Sequence, residues 1–139
     1  MNDRFKFRCY NKFQEKMFDV KSMSYINGIV QRIEVQDDDR ILIFDEWQNN
    51  IDNTVLMQCT GLKDKNGKLI YEGDILGGSY GNLYIHYCDE CMQFQLKAKD
   101  YGCMACEGDV HWCEVVESED ENELEVIGNI YENPERLED

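Results

Sequence analysis

The chain has 139 residues, 42% of them hydrophobic and 12% aromatic, which is enough apolar material for one folded module and too much for a disordered chain. Its 29 acidic residues against 14 basic ones give a formal net charge of -15, a surface that repels nucleic-acid phosphates, so direct binding of DNA or RNA is not expected. Seven cysteines, an odd number, with no apolar leader after Met1 and no aliphatic or aromatic run longer than Ile41-Leu42-Ile43-Phe44, point to free thiols in a reducing cytoplasm and argue against a membrane span.

Alternation of apolar and polar residues dominates, and it predicts strands. Phe5, Phe7 and Cys9 against Lys6, Arg8 and Tyr10 read as a half-buried strand. Ile29, Gln31, Ile33 and Val35 against Val30, Arg32 and Glu34 read as another, turning at Asp37-Asp38-Asp39 into Arg40–Phe44. Thr54–Thr60 is the next strand and Gly61 is expected to end it. Asn66-Gly67 signals a type I′ turn, which needs positive φ at both central residues, and Leu69–Tyr71 returns from it. Gly73 predicts a bend before Asp74-Ile75-Leu76, with Asp74 capping it. Leu83–Tyr87 and Gln93–Lys97 form an expected hairpin, His111–Val116 is a further strand candidate, and Leu124–Tyr131 is the last strand, where Gly128 permits a close backbone approach. No stretch keeps a helical period, so helix content is expected to be low.

The charge is uneven. Residues 1–35 carry seven basic and four acidic groups, whereas 114–139 carry eleven acids and only Arg136, so the two ends are expected to attract each other within one chain or between copies.

Three segments are more distinctive than their periodicity: Arg4–Arg8 with Lys16-Met17-Phe18, Leu56–Gly67 running on through Ile70–Ile75, and Glu125–Pro134. In order and content they resemble the YopX family of small phage and prophage proteins. The resemblance implies a phage-encoded protein of the bacterial cytoplasm. It also implies a mainly β fold of small antiparallel sheets, with an SH3-like barrel around residues 55–131 and little helix. It implies one module over 1–139, with an N-terminal β lobe at 1–53 and a barrel-like lobe at 54–134. It brings no catalytic residues with it. Cys9, Tyr10 and Cys59 depart from the family pattern in ways that bear on packing. Tyr71, Asp74 and Tyr131 are the candidates for a groove.

Cys88-x2-Cys91 and Cys103-x2-Cys106 have the look of two zinc knuckles, with His111 and Cys113 as spare ligands. The eleven-residue gap is short for a four-cysteine site and the resemblance supplies no metal, so no cofactor is expected and the four read as free thiols. His86 sits in a strand pattern as a polar-face residue. His111 with Asp109 or Glu114 is the sole hydrolase candidate, and sequence neighbours on a strand face opposite ways, so no triad follows. No catalytic site is assigned. The expected function is a non-catalytic binding or self-assembling module, contacting a host protein or a second copy through Tyr80, Tyr84, Tyr87, Tyr101 and Trp112. An acidic nucleic-acid mimic using Glu117–Glu123 against a basic host protein is the alternative, and a hydrolase the weaker one.

Overall fold

The computed structural model describes residues 5–46, 51–77, 82–88, 93–97 and 124–137, and the described part is mainly β, as expected. Ile51–Asn53 and Pro134–Leu137 are short 3-10 turns. The chain divides into two compact units inside one strand: residues 5–58 form the first, and the described residues from 59 onward form the second.

The first unit contains β1 (Phe7–Asn11), β2 (Lys16–Ile26), β3 (Ile29–Asp37), β4 (Arg40–Asp45) and the start of β5 (Thr54–Lys63). They pair antiparallel in the order β4-β3-β2-β1-β5. Its core is Cys9, Phe18, Ile33, Val35 and Phe44, with Val20, Met23, Val30 and Leu42 packed against it. Phe18 and Phe44 meet edge to face at 5.7 Å, a geometry that adds roughly 0.5–1.5 kcal/mol to the burial of two rings.

Three details differ from the sequence reading. In β1 the residues Arg8, Cys9, Tyr10 and Asn11 are all buried, so the strand is covered on both faces and not half-buried. In β3 the core side belongs to Val30, Ile33 and Val35, while Ile29 is exposed. The cause is a pair of register shifts. Val20 pairs with Val35 and Ser22 with Glu34, leaving Lys21 as an extra residue in β2; Ser24 pairs with Arg32 and Tyr25 with Val30, leaving Gln31 extra in β3. Each bulge swaps which parity of residue faces inward. Third, Lys16–Ile26 is one long strand, joined to β3 by Asn27 and Gly28 at φ 54 and 80 with Ile26 opposite Ile29. That is the type I′ hairpin geometry, and it occurs at this Asn-Gly pair.

The other Asn-Gly pair turns differently. Gly67 has φ 83 but Asn66 is not left-handed, and the Gly67 amide donates to Asp64 O while the Asp64 amide donates to Lys68 O. This is a type I turn closed by a left-handed glycine, the three-residue loop with a bulge, and not the expected type I′ turn. Asp64 dictates it. Its carboxylate accepts from the amides of Asn66 (2.9 Å), Lys68 (2.9 Å) and, on the last strand, Val126 (3.0 Å).

In the second unit β5 continues through Gly61, which takes φ 89 without ending the strand, and pairs with β6 (Leu69–Tyr71). Then β7 (Asp74–Gly77), β8 (Leu83–Cys88), β9 (Gln93–Lys97) and β10 (Glu125–Asn129) form an antiparallel sheet in the order β10-β7-β8-β9. The expected β8–β9 hairpin is present. The sheet is open among the described residues, and residues 98–123 of the span expected to close a barrel lie outside them. Ile70, Leu76, Ile85, Leu96 and Leu124 make its core. The bend before β7 is capped as anticipated: the Tyr71 amide donates to Asp74 Oδ2 at 2.8 Å. Gly128 is needed for a close approach, but to a side chain and not a backbone. A Cβ there meets Asn133 Oδ1 at 2.7 Å, and Asn133 Oδ1 accepts from the Asn129 amide.

Candidate functional site

β2 has eleven residues and β1 has five, and this mismatch shapes the surface of the first unit. β1 pairs with β2 only from Asn11–Lys16 to Arg8–Asp19. β4 pairs with β3 only between Asp37 and Arg32. Among the described residues the end of the β2–β3 hairpin, about Ser24 to Gln31, therefore has neither flanking strand beside it and extends as a two-stranded arm. At its tip Tyr25, Ile26 and Ile29 are 56%, 61% and 62% exposed and form an apolar cluster.

The Lys21 bulge lies where β2 leaves β1. Bulges bend a strand and terminate pairing, and here the bend opens a cleft of about 370 Å3 between Phe5–Phe7 and Val20–Tyr25. Its lining is Phe5, Lys6, Phe7, Val20, Lys21, Ser22, Met23 and Tyr25. Among the described residues that line it, two are lysines, three are aromatic and none is acidic. The acid of the adjacent strand is already engaged, since Glu34 accepts from Ser22 Oγ at 3.0 Å and from Arg32 at 2.8 Å. Among the described residues no strand pairs with the β1-facing edge of Val20–Ile26, so that edge presents backbone donors and acceptors to the cleft.

A second depression, at the β3–β4 turn, consists of Asp37, Asp38, Asp39 and Arg40. Asp37 is the acceptor of two charged donors. The Lys16 ammonium donates to Asp37 Oδ1 at 2.6 Å and Arg40 to Oδ2 at 3.1 Å. The hydrogen bond from Lys16 holds Asp37 below the usual carboxylate value, and the same bond raises Lys16. Exposed pairs of this kind contribute little to stability.

The residues singled out from the sequence fall as follows. Cys88 ends β8 and its side chain lies outside the described residues, as do Cys91, Cys103, Cys106, Asp109, His111, Cys113, Glu114, the acidic run Glu117–Glu123, and the aromatics Tyr80, Tyr101 and Trp112. Tyr84 and Tyr87 are half-buried on β8, Tyr87 edge to face with Phe94 at 5.3 Å. His86, also on β8, is half-buried. Asp74 is 1% exposed and caps its own turn, so its carboxylate is not a wall of the groove suggested with Tyr71 and Tyr131. Among the described residues no three His, Cys, Asp or Glu side chains come together to hold a metal. Cys9 and Cys59 are fully buried and in no disulfide; burial first and the Asp19 charge second push the Cys9 thiol up to about 12. Among the described residues no helix is long and apolar enough to cross a membrane.

The arm and the cleft escaped sequence reading. The signal was Asn27-Gly28 between Tyr25-Ile26 and Ile29-Val30, a tight-turn pair flanked by apolar residues that need no partner in the core.

The comparisons with known proteins concern fold and family. No curated protein matches the chain. The crystal structure of protein EF1440 from Enterococcus faecalis is similar at a TM-score of 0.65 and 26% identity, covering 95% of this chain and 96% of that one. The crystal structure of protein yopX from Bacillus subtilis is similar at a TM-score of 0.59 and 23% identity, covering 100% of this chain and 98% of that one, a likeness of fold. The family model for YopX protein matches residues 6–138. The chain belongs to the YopX family.

Proposed function

We propose that this chain is a phage-encoded accessory protein that acts in the bacterial host cytoplasm by binding another protein, a host chain or a second copy, and not by catalysis. The observation that carries this reading is the β2–β3 arm, which extends past both neighbouring strands and exposes Tyr25, Ile26 and Ile29 at its tip. Two isoleucines and a tyrosine left in water contribute little burial to the fold, and their apolar area is available to a surface that covers them. Tyr and flanking aliphatic residues are suited to anchoring a contact.

The test is capture from host lysate and light scattering with the purified chain, beside an Ile26→Ser/Ile29→Ser variant. Both side chains are exposed, so the variant keeps its fold, which circular dichroism checks. The reading expects a stoichiometric partner, or a concentration-dependent dimer, that the variant loses. A chain that stays monomeric and captures nothing, or a variant that binds as well as the parent, overturns it.

The acidic nucleic-acid mimic has one observation in its favour. Residues 5–58 hold seven basic and nine acidic groups, whereas the rest of the chain holds seven and twenty. It predicts capture of a basic partner that is lost at high salt and kept by the Ile26→Ser/Ile29→Ser variant.

A further inference from the structure

We infer that Asn27-Gly28, at the tip of the β2–β3 arm, is a site of spontaneous deamidation, whereas Asn66-Gly67, the same dipeptide, is held unreactive by Asp64. The chemistry needs no catalyst, only water. The Gly28 backbone nitrogen, giving up its proton, bonds to Asn27 Cγ, and the Cγ–Nδ2 bond breaks to release ammonia. Water then opens the five-membered succinimide. Cleavage at Cγ leaves aspartate; cleavage at the backbone carbonyl leaves isoaspartate, with one more carbon in the main chain. The site stands whether or not the arm binds anything, and only its consequence for binding rests on the reading above.

A following glycine puts no side chain in the way of ring closure. What separates the two pairs is the cost of turning the Asn Cα–C bond until the glycine nitrogen meets Cγ. That rotation takes the turn apart, so local opening sets the rate. At the arm tip little opposes it. Asn27 and Gly28 are exposed, and a Cβ on Gly28 would meet nothing within 4 Å. Neither the Gly28 amide nor the Asn27 carboxamide donates to any described residue. The turn is closed by the Ile26–Ile29 pair, both exposed, with no flanking strand beside it among the described residues. The Asn66 turn is tied at each point that must move. The Gly67 amide, the nucleophile, donates to Asp64 O at 3.0 Å, and the Asn66 and Lys68 amides donate to Asp64 Oδ1, each at 2.9 Å. The Asn66 carboxamide, the electrophile, donates to Glu125 Oε1 at 3.4 Å. Three such bonds lost together lower the open population by roughly tenfold or more. Either product of Asn27 adds a negative charge between Ile26 and Ile29. Isoaspartate also moves the two out of register, since a two-residue type I′ turn does not accommodate an extra main-chain carbon. The apolar tip thus becomes a charged one as the chain ages.

The test is incubation of the full chain at 37 °C in heavy-oxygen water at pH 7.4 and pH 9, then digestion at pH 6 in ordinary water and mass spectrometry of the peptides that carry each pair. Changes made during digestion carry no label. Asn27 is expected to exchange its amide for one heavy oxygen at least tenfold faster than Asn66, and faster at pH 9, where more of the attacking nitrogen has lost its proton. In guanidinium the two rates converge, because both turns are gone. Asp64→Ala, its fold checked by circular dichroism, speeds Asn66 and not Asn27; the guanidinium comparison tests the same protection without a substitution. An Asn27 that stays intact, an Asn66 that reacts as fast in the folded chain, or a ratio that persists in guanidinium overturns the inference. A rate at Asn27 that does not rise with pH overturns the succinimide route. Asn27→Asp carries the charge of the product, and it is expected to weaken at least tenfold whatever capture or dimer the Ile26→Ser/Ile29→Ser variant loses. Full binding by Asn27→Asp overturns the consequence for the tip. Deamidation at Asn27 in a chain that captures nothing and stays monomeric supports the site and removes the binding reading alone.

Discussion

Replacing Asp64 by Ala takes one carboxylate from the second unit and leaves three amide donors without their acceptor. Asp64 is 7% exposed, and its two oxygens serve Asn66 and Lys68 within the turn and Val126 across on β10. The neighbouring links are weaker: the Lys65 amide donates to Leu124 O, and Lys65 and Glu125 form an exposed pair at 3.4 Å. An unmet interior donor costs about 1–3 kcal/mol, and Val126 carries that in full. Asn66 and Lys68 are exposed, so water replaces the carboxylate there and each contributes roughly 0.5 kcal/mol. Asp64→Ala is therefore expected to cost about 2–4 kcal/mol, or about 6–12 °C in Tm for a chain of this size.

The charge itself is separable from the shape. Burial raises the Asp64 carboxyl, but the amides of Val126, Lys68 and Asn66 more than reverse it, so the folded value lies below the ordinary 3.8. A depressed folded value means the contribution is fully present above the unfolded value and is lost as pH falls through the folded one. Asp64→Asn keeps one acceptor oxygen, for either the turn or Val126 but not both, and cannot titrate. Its deficit against the parent, by guanidinium denaturation followed by circular dichroism, should be about 1–2 kcal/mol at pH 7 and shrink below pH 4. A deficit that stays constant down to pH 2.5 refutes the charge argument. An Asp64→Ala variant within 0.5 kcal/mol of the parent, with an unchanged denaturant slope, refutes the claim that this residue ties the turn to β10.

Gly128→Ala places a Cβ within 2.7–2.9 Å of three Asn133 side-chain atoms, so it is expected to cost about 1–3 kcal/mol, and Asn133→Gly in the same chain should recover part of that in a thermal melt. Cys9, with its thiol pushed up to about 12, should resist iodoacetamide at pH 8 in the folded chain and react only when unfolded, as peptide mapping would show; because the folded value is raised, its contribution to stability is whole below the ordinary thiol value of 9.0 and fades as pH rises from there. Metal analysis of chain purified without chelators is expected to find well below one zinc per chain; a full equivalent, lost on replacing Cys88 and Cys91, would establish a site at the two C-x2-C pairs.

What the sequence shows and what it hides follow the same physics. Turns whose geometry comes from a local side chain were legible: Asp74 caps its bend as Asp does in many turns, and the Asp37–Arg40 turn closes on adjacent strands. Strand pairing was legible where alternation persists, as in β8 and β9, and where an apolar run returns from a turn, as in β4. The two Asn-Gly pairs were not distinguishable by their own residues. Asn66-Gly67 is overruled by Asp64 two positions earlier, which draws two turn amides onto one oxygen; Asn27-Gly28 has no such competitor and takes the turn that its residues prefer.

The candidate site was hidden for a more particular reason. Lys21 and Gln31 are extra residues, and each shifts the inward parity by one, from Phe18 and Val20 to Met23 in β2 and from Val30 to Ile33 and Val35 in β3. A reader who assumes period two puts Ile29 in the core and finds no strand at all through Lys21-Ser22. Yet the insertion that spoils the pattern also lies where β2 leaves β1, with that edge unpaired among the described residues, a lysine on the rim and Tyr25, Ile26 and Ile29 exposed at the tip. Local pattern and global fold disagree at this one stretch of the first unit. Stretches of that kind are where function tends to reside, since a fold that needed only stability would have no use for the insertion.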